Sequence, residues 1–205
     1  MKVGGGGLIN SVTIAGTVAV VTAAVSKHGV EALAGYGLGS RLEIIITPLV
    51  FGIGSVLTAS VGINVGAQQL PRAKMIAWVG AFISFCVVGL LGATVTIFPD
   101  IWLNNFESSS LIRDYATSYL IIVAPFYCFF AAGQTLYFAS QGLGKIFYPV
   151  IVGIIRLLSV SLICYYVTFN DLSLNFVFYG ISFGLLATGL GLWMCMLGPD
   201  WKKQI

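Results

Sequence analysis

Charge is what this sequence has least of. Of 205 residues, Lys and Arg supply 10 and Asp and Glu supply 7, so charged residues make up 8% of the chain. A soluble domain carries about 25%. There is a single histidine, His28, so a Ser–His pair within the apolar segments has no base. No H-E-x-x-H, P-loop or G-x-G-x-x-G pattern occurs, which argues against an enzyme and against nucleotide-driven work. The basic residues form no cluster of the kind that reads nucleic acid or anionic lipid, so no nucleic-acid partner is expected. The four cysteines, Cys86, Cys128, Cys164 and Cys195, make no C-x-x-C pair and lack a neighbouring histidine. Disulfide and metal readings fail on that spacing, and the four thiols read as small buried apolar groups.

What is abundant is apolar. Hydrophobic residues make up 58% of the chain, and the mean hydropathy is +0.98. Spanning the hydrocarbon takes roughly 20 apolar residues as a helix. Six segments qualify: Leu8–Val25, Ile44–Ile63, Met75–Phe98, Tyr119–Ala139, Ile146–Phe169 and Leu174–Leu197. They are too long and too uniformly apolar for barrel strands. Only a helix satisfies its own backbone in lipid, so the expected fold is an all-α bundle of six transmembrane helices, a single unit over residues 1–205. The first segment resembles a signal peptide, but its apolar run of 18 residues contains Asn10, Ser11 and Thr13 and exceeds a signal core.

Basic residues concentrate in cytoplasmic loops. Lys2, Arg72, Lys74, Lys145, Lys202 and Lys203 fall on one side; Lys27, Arg41 and Arg113 fall on the other. Both termini are therefore expected in the cytoplasm. "SSSLIRD" in the loop from Pro99 to Ser118 offers Ser110 as an N-cap, with Asp114 in the following turn. "GGGG" at residues 4–7 and "GINVG" at 62–66 suggest close helix approaches. Pro48, Pro125 and Pro149 are the expected kink points.

Polar residues within the spans carry the functional argument. Arg156 is eleventh of the 24 residues in "IFYPVIVGIIRLLSVSLICYYVTF", near the expected midplane. Placing Arg there costs about 2.5–3.5 kcal/mol on insertion scales, which calls for a wet cavity or a partner. The alternative is a structural Arg bonded to neighbouring backbone carbonyls. Arg41 and Glu43, two apart, point to opposite sides of a helix. One can snorkel to the interface while the other faces the bundle. Glu43 is the better inward candidate because Thr47, Gly54 and Val61 continue its face. A carboxylate withdrawn from water there can take and release a proton or a sodium ion; an interfacial helix charge is the alternative. Read as heading its span, Glu43 sits about one turn from the outer interface, while Arg156 lies about 15 Å deep, so the two are not expected to pair. Gln134 and Gln141 are seven apart on nearly one face, beside Tyr127, Phe130 and Tyr137, an aromatic surface on which an organic cation could rest. Packing is the plainer role for such aromatics.

"GVEALAGYGLGSRLEIIITPLVFGIGSVLTASVGINVGAQQLPRAK" resembles the seventh-to-eighth-helix region of the multidrug and toxic compound extrusion (MATE) transporters. The resemblance rests on Ala34–Gly37, Arg41, Glu43, Gly62–Gly66 with Asn64, Ala67–Gln69 and Arg72-Ala73. It departs at Ile63 and Gln68, where the family pattern has Gln and Gly. "FASQGLGK" at 138–145 resembles the loop after the tenth helix. The resemblance implies one six-helix lobe, the C-terminal one, of a twelve-helix protein, with an N-terminal lobe as its missing partner. It also implies a plasma (inner) membrane antiporter, embedded in lipid, that exports cationic or amphipathic compounds in exchange for Na+ or H+, with no other cofactor. Several family members carry carboxylates in the seventh and tenth helices. The matching segments here, Leu8–Val25 and Tyr119–Ala139, are uncharged, so coupling falls to the other lobe or to Glu43. The ion and substrate pathway candidates are Glu43, Arg156, Gln134, Tyr127, Asn64 and Arg41. Alternatives are a lipid-linked precursor flippase of the same superfamily and a non-transporting accessory subunit or fragment.

Overall fold

Apolar sequence in lipid has one way to satisfy every peptide group within a single segment, and the chain takes it. The computed structural model describes residues 2–198 and Trp201, with side chains from Gly5 onward, and these residues contain helices and no strand. The helices are α1 (Lys2–Ser26), α2 (Val30–Gly66), α3 (Leu70–Ile97), α4 (Pro99–Leu103), α5 (Ser110–Val123), α6 (Tyr127–Leu143), α7 (Phe147–Phe169) and α8 (Leu174–Leu197). A short 3₁₀ turn, Ala124–Phe126, joins α5 to α6. Six stretches are long and apolar enough to cross a membrane: α1, α2, α3, the α5–α6 pair, α7 and α8. Lys202, Lys203 and the side chain of Lys2, all used in the orientation argument, lie outside the described residues.

The α5–α6 pair is the axis of the bundle: α6 packs on α2, α3 and α8, and α5 packs on α2 and α8, while α1 lies mainly against α7 and α7 against α8. Small residues permit these approaches. A Cβ on Gly142 would stand 2.5 Å from the Thr58 carbonyl oxygen, so α6 and α2 touch backbone to backbone there. Gly62, the first glycine of "GINVG", belongs to the same crossing, whereas Gly66 faces open space. Hydroxyl groups add bonds between helices. Thr58 donates to the Phe138 carbonyl (2.9 Å), Thr135 to Ser84 (2.8 Å) and Ser182 to the Ile122 carbonyl (2.8 Å). Such bonds between membrane helices contribute about 0.6 kcal/mol on average.

Several local expectations need correction. Helix α2 starts at Val30, not near Ile44, and its 37 residues run for about 55 Å. The hydropathy window stopped at Arg41 and Glu43, yet Ala32, Gly35, Tyr36, Gly39 and Leu42 form a buried stripe that keeps the helix packed through those charges. Among the three prolines, only Pro125 coincides with a break. The helix continues through Pro48, and Pro149 sits in the first turn of α7, where no intrahelical bond is lost. The cap of α5 is Ser109, one residue before the expected Ser110, and its Oγ accepts from the Ile112 N–H (3.5 Å). Cys128 and Cys164 are buried, while Cys86 and Cys195 are only partly so.

Candidate functional site

Glu43 stands thirteen residues inside α2, about 20 Å along the helix from its start. It therefore lies well inside the helix and not at its head. Tyr119, near the end of α5, donates its phenolic O–H to Glu43 Oε1. Tyr127, in the first turn of α6, lies with its hydroxyl 3.2 Å from the same oxygen and 3.2 Å from the Tyr119 hydroxyl. The 3₁₀ turn at Pro125 separates the two tyrosines, and the pair still delivers both phenols to one carboxylate. Tyr119 is held by edge-to-face contacts with Tyr36 (5.5 Å between centroids) and Phe178 (5.3 Å). Rings packed this way have few alternative positions.

Beside this cluster is a cavity of about 90 Å³, between α1, α2, α5, α6, α7 and α8. Its polar wall consists of Glu43, Tyr36, Tyr119, Tyr127, Thr17 and Thr47; the rest is mostly aliphatic. Arg156 of α7 also lines it, although no described acid pairs with that residue: the ion pair found among the described residues joins Arg113 to Asp100 at 2.7 Å. Arg156 is 4% exposed, and its Nε and Nη2 reach no acceptor. The structural alternative required bonds to neighbouring carbonyls, and those two nitrogens make none.

The sequence candidates therefore divide. Glu43, Tyr127 and Arg156 line one cavity, and Glu43 and Arg156, which were not expected to pair, form no ion pair there. Arg41 is on the exposed face of α2, its guanidinium 5.3 Å from the centre of the Phe106 ring. Asn64 caps the end of α2: its Nδ2 donates to the Ser60 carbonyl and its own carbonyl accepts from Gln69 N (both 2.8 Å). Gln134 is buried, with Nε2 unbonded, but it is not in the cavity wall. The expected aromatic surface also splits. Tyr127 and Phe130 line the cavity, whereas the Tyr137 hydroxyl donates to the Gly6 carbonyl (2.9 Å) and holds α6 to α1. Tyr36 and Tyr119 were missed, because a tyrosine in a membrane helix looks like packing until its hydroxyl has a partner. Among the described residues no three His, Cys, Asp or Glu side chains gather as a metal site.

The described residues thus form a bundle of six stretches able to span a membrane, with an acid, an arginine and phenols around one cavity, an arrangement suited to a membrane transporter. A family model described as MatE matches residues 8–167, most of the chain, and the protein belongs to that family. The family is one of transporters, not enzymes. Among curated relatives, a "FAD transporter" of Shewanella oneidensis is 29% identical over 122 residues, which is 58% of this chain and 27% of that protein. The "Probable multidrug resistance protein YoeA" of Bacillus subtilis is 20% identical over 153 residues, 75% of this chain and 33% of the relative. Among solved structures, the MATE transporter ClbM in complex with Rb+ superposes with a TM-score of 0.87 at 21% identity, over 96% of this chain and 46% of ClbM. A MOP-superfamily transporter from Pyrococcus furiosus gives 0.82 at 15% identity, over 100% of this chain and 45% of its own. The Vibrio cholerae transporter VcmN in its bent form gives 0.81 at 17%, over 95% and 44%. The chain thus spans about a third or less of these curated relatives and somewhat under half of the solved transporters.

Proposed function

We propose that this chain forms the C-terminal lobe of a two-lobed secondary antiporter of the plasma (inner) membrane that exports cationic or amphipathic compounds in exchange for Na+ or H+. In this reading both termini are cytoplasmic, lipid surrounds the bundle, and an N-terminal six-helix lobe completes the pathway. Transport proceeds by rocking of one lobe against the other around a midplane site.

The observation that carries the proposal is the Glu43 cluster. Glu43 is the only acid among the described residues of the cavity wall, and two phenols from a different span converge on one of its oxygens. Such a group can exchange a proton. With the Tyr119 and Tyr127 hydroxyl oxygens it also offers the all-oxygen surroundings that hard cations prefer. The names of the two curated relatives, a FAD transporter and a probable multidrug resistance protein, support organic molecules as cargo.

The test uses proteoliposomes containing the full-length protein, loaded with ethidium as a cationic amphipathic probe. An imposed inward Na+ or H+ gradient should drive export of the dye, and collapsing that gradient with an ionophore should stop it. Export indifferent to both gradients would overturn the antiporter reading.

A further inference from the structure

Arg156 presents a second and separate feature of the same cavity. Its guanidinium is withdrawn from solvent, and two of its donors, Nε and Nη2, reach no acceptor among the described residues. A buried charge without a partner is among the most costly arrangements a protein can hold. These two nitrogens lie on the same edge of the guanidinium, the edge that forms a two-pronged bond to a carboxylate or a phosphate. The one acid among the described residues of the cavity wall does not fill that fork, since Glu43 is engaged by Tyr119 and Tyr127 and forms no ion pair with Arg156.

The fork is also held in place. Helix α8 comes close to α7 at Gly184, where a Cβ would stand 2.6 Å from Val160 Cγ2 and 3.5 Å from Arg156 Cγ, so the stem of the arginine lies over that glycine. The cavity it lines is aliphatic in part, with Ile14, Val160, Ile181 and Leu185, and polar in part, with the Glu43 cluster. A charged fork in a cavity with such an aliphatic part selects a molecule with an anionic head and an apolar body.

We propose that Arg156 is the receptor for a carboxylate or phosphate group on a small amphipathic ligand bound in this cavity. Glu43 is left to the coupling ion. The ligand is therefore anionic or zwitterionic at the end that meets α7, a class beyond the organic cations expected from the family resemblance. The inference rests on equilibrium binding and not on the antiport reading, so either can fail alone.

The experiment compares butyrate, butylamine and butanol, which share one apolar chain and differ in the head. Each is titrated into the purified full-length protein in nanodiscs, with saturable thermal stabilisation and saturation-transfer NMR as readouts. Butyrate should bind, and butanol and butylamine should bind at least tenfold more weakly. Arg156→Gln should abolish the butyrate response. Thr17→Phe fills the cavity from α1 at a partly exposed position and leaves the arginine in place; it should abolish the response too, and serves if Arg156→Gln does not fold. Equal or tighter binding of butylamine, no butyrate binding to the wild type, or a butyrate response that survives Thr17→Phe would each overturn the proposal.

Discussion

Tyr119 shows how much one hydroxyl can decide. Its ring is fixed by Tyr36 and Phe178, and its O–H serves Glu43. Replacing it with Phe keeps the ring contacts and removes a bond to a group that can carry charge, which contributes about 1.5–3 kcal/mol. Tyr119→Phe should therefore lower stability by about 1.5–3 kcal/mol and weaken coupling-ion dependence at least tenfold, since 1.4 kcal/mol corresponds to a factor of ten. The half-saturating ion concentration for export measures this; an unchanged value would separate Tyr119 from the ion. Arg41 provides the contrast. It stands two residues from Glu43 in sequence, but it sits on the exposed face against Phe106. Arg41→Gln should cost about 0.5–1 kcal/mol of stability and leave ion dependence as it is. Its position opposite Glu43 was readable from the helical period. The company Glu43 keeps was not, because both phenols come from residues more than seventy positions away in the chain.

At the level of the helices, hydropathy located six spans and gave α8 its bounds, Leu174–Leu197, but misplaced other ends, the start of α2 most of all. The reason is physical. A window of apolar residues ends at a charge, whereas a helix ends where its backbone loses partners or packing. Helix α2 passes through Arg41 and Glu43 because a stripe of small and apolar residues from Ala32 to Leu42 is buried. At Pro125, by contrast, the ring removes a backbone donor and the helix gives way to a 3₁₀ turn. Close approach was legible only in part. "GINVG" pointed to the right crossing, but the contact that matters most there lies on the partner helix, at Gly142. Gly142→Leu would push a side chain into the Thr58 carbonyl and should destabilise the bundle by about 1–3 kcal/mol, the usual cost of overpacking. Urea or thermal unfolding in detergent reads that loss. A stability equal to wild type would mean that α2 and α6 do not meet at this crossing in the membrane.

For the whole molecule, fold class and family were both legible from sequence. Scarce charge forced the membrane reading, and the segment from Gly29 to Lys74 carried the family resemblance. The cavity was not legible, because it is assembled from six helices whose relative rotation no single-segment pattern encodes. The chain spans somewhat under half of the solved transporters. On the proposed two-lobe reading, the intact protein from its native membrane should have a mass near twice 21.8 kDa; a mass of 21.8 kDa would contradict that reading.

The central claim is that Glu43 carries the coupling ion, and the most direct measurement removes its charge without changing its size. In proteoliposomes of the full-length protein, Glu43→Gln should reduce gradient-driven ethidium export at least tenfold, while dye-for-dye exchange without a gradient continues at near the wild-type rate. Gradient-driven export equal to wild type would contradict the account, and so would parallel loss of both activities in a variant that remains folded.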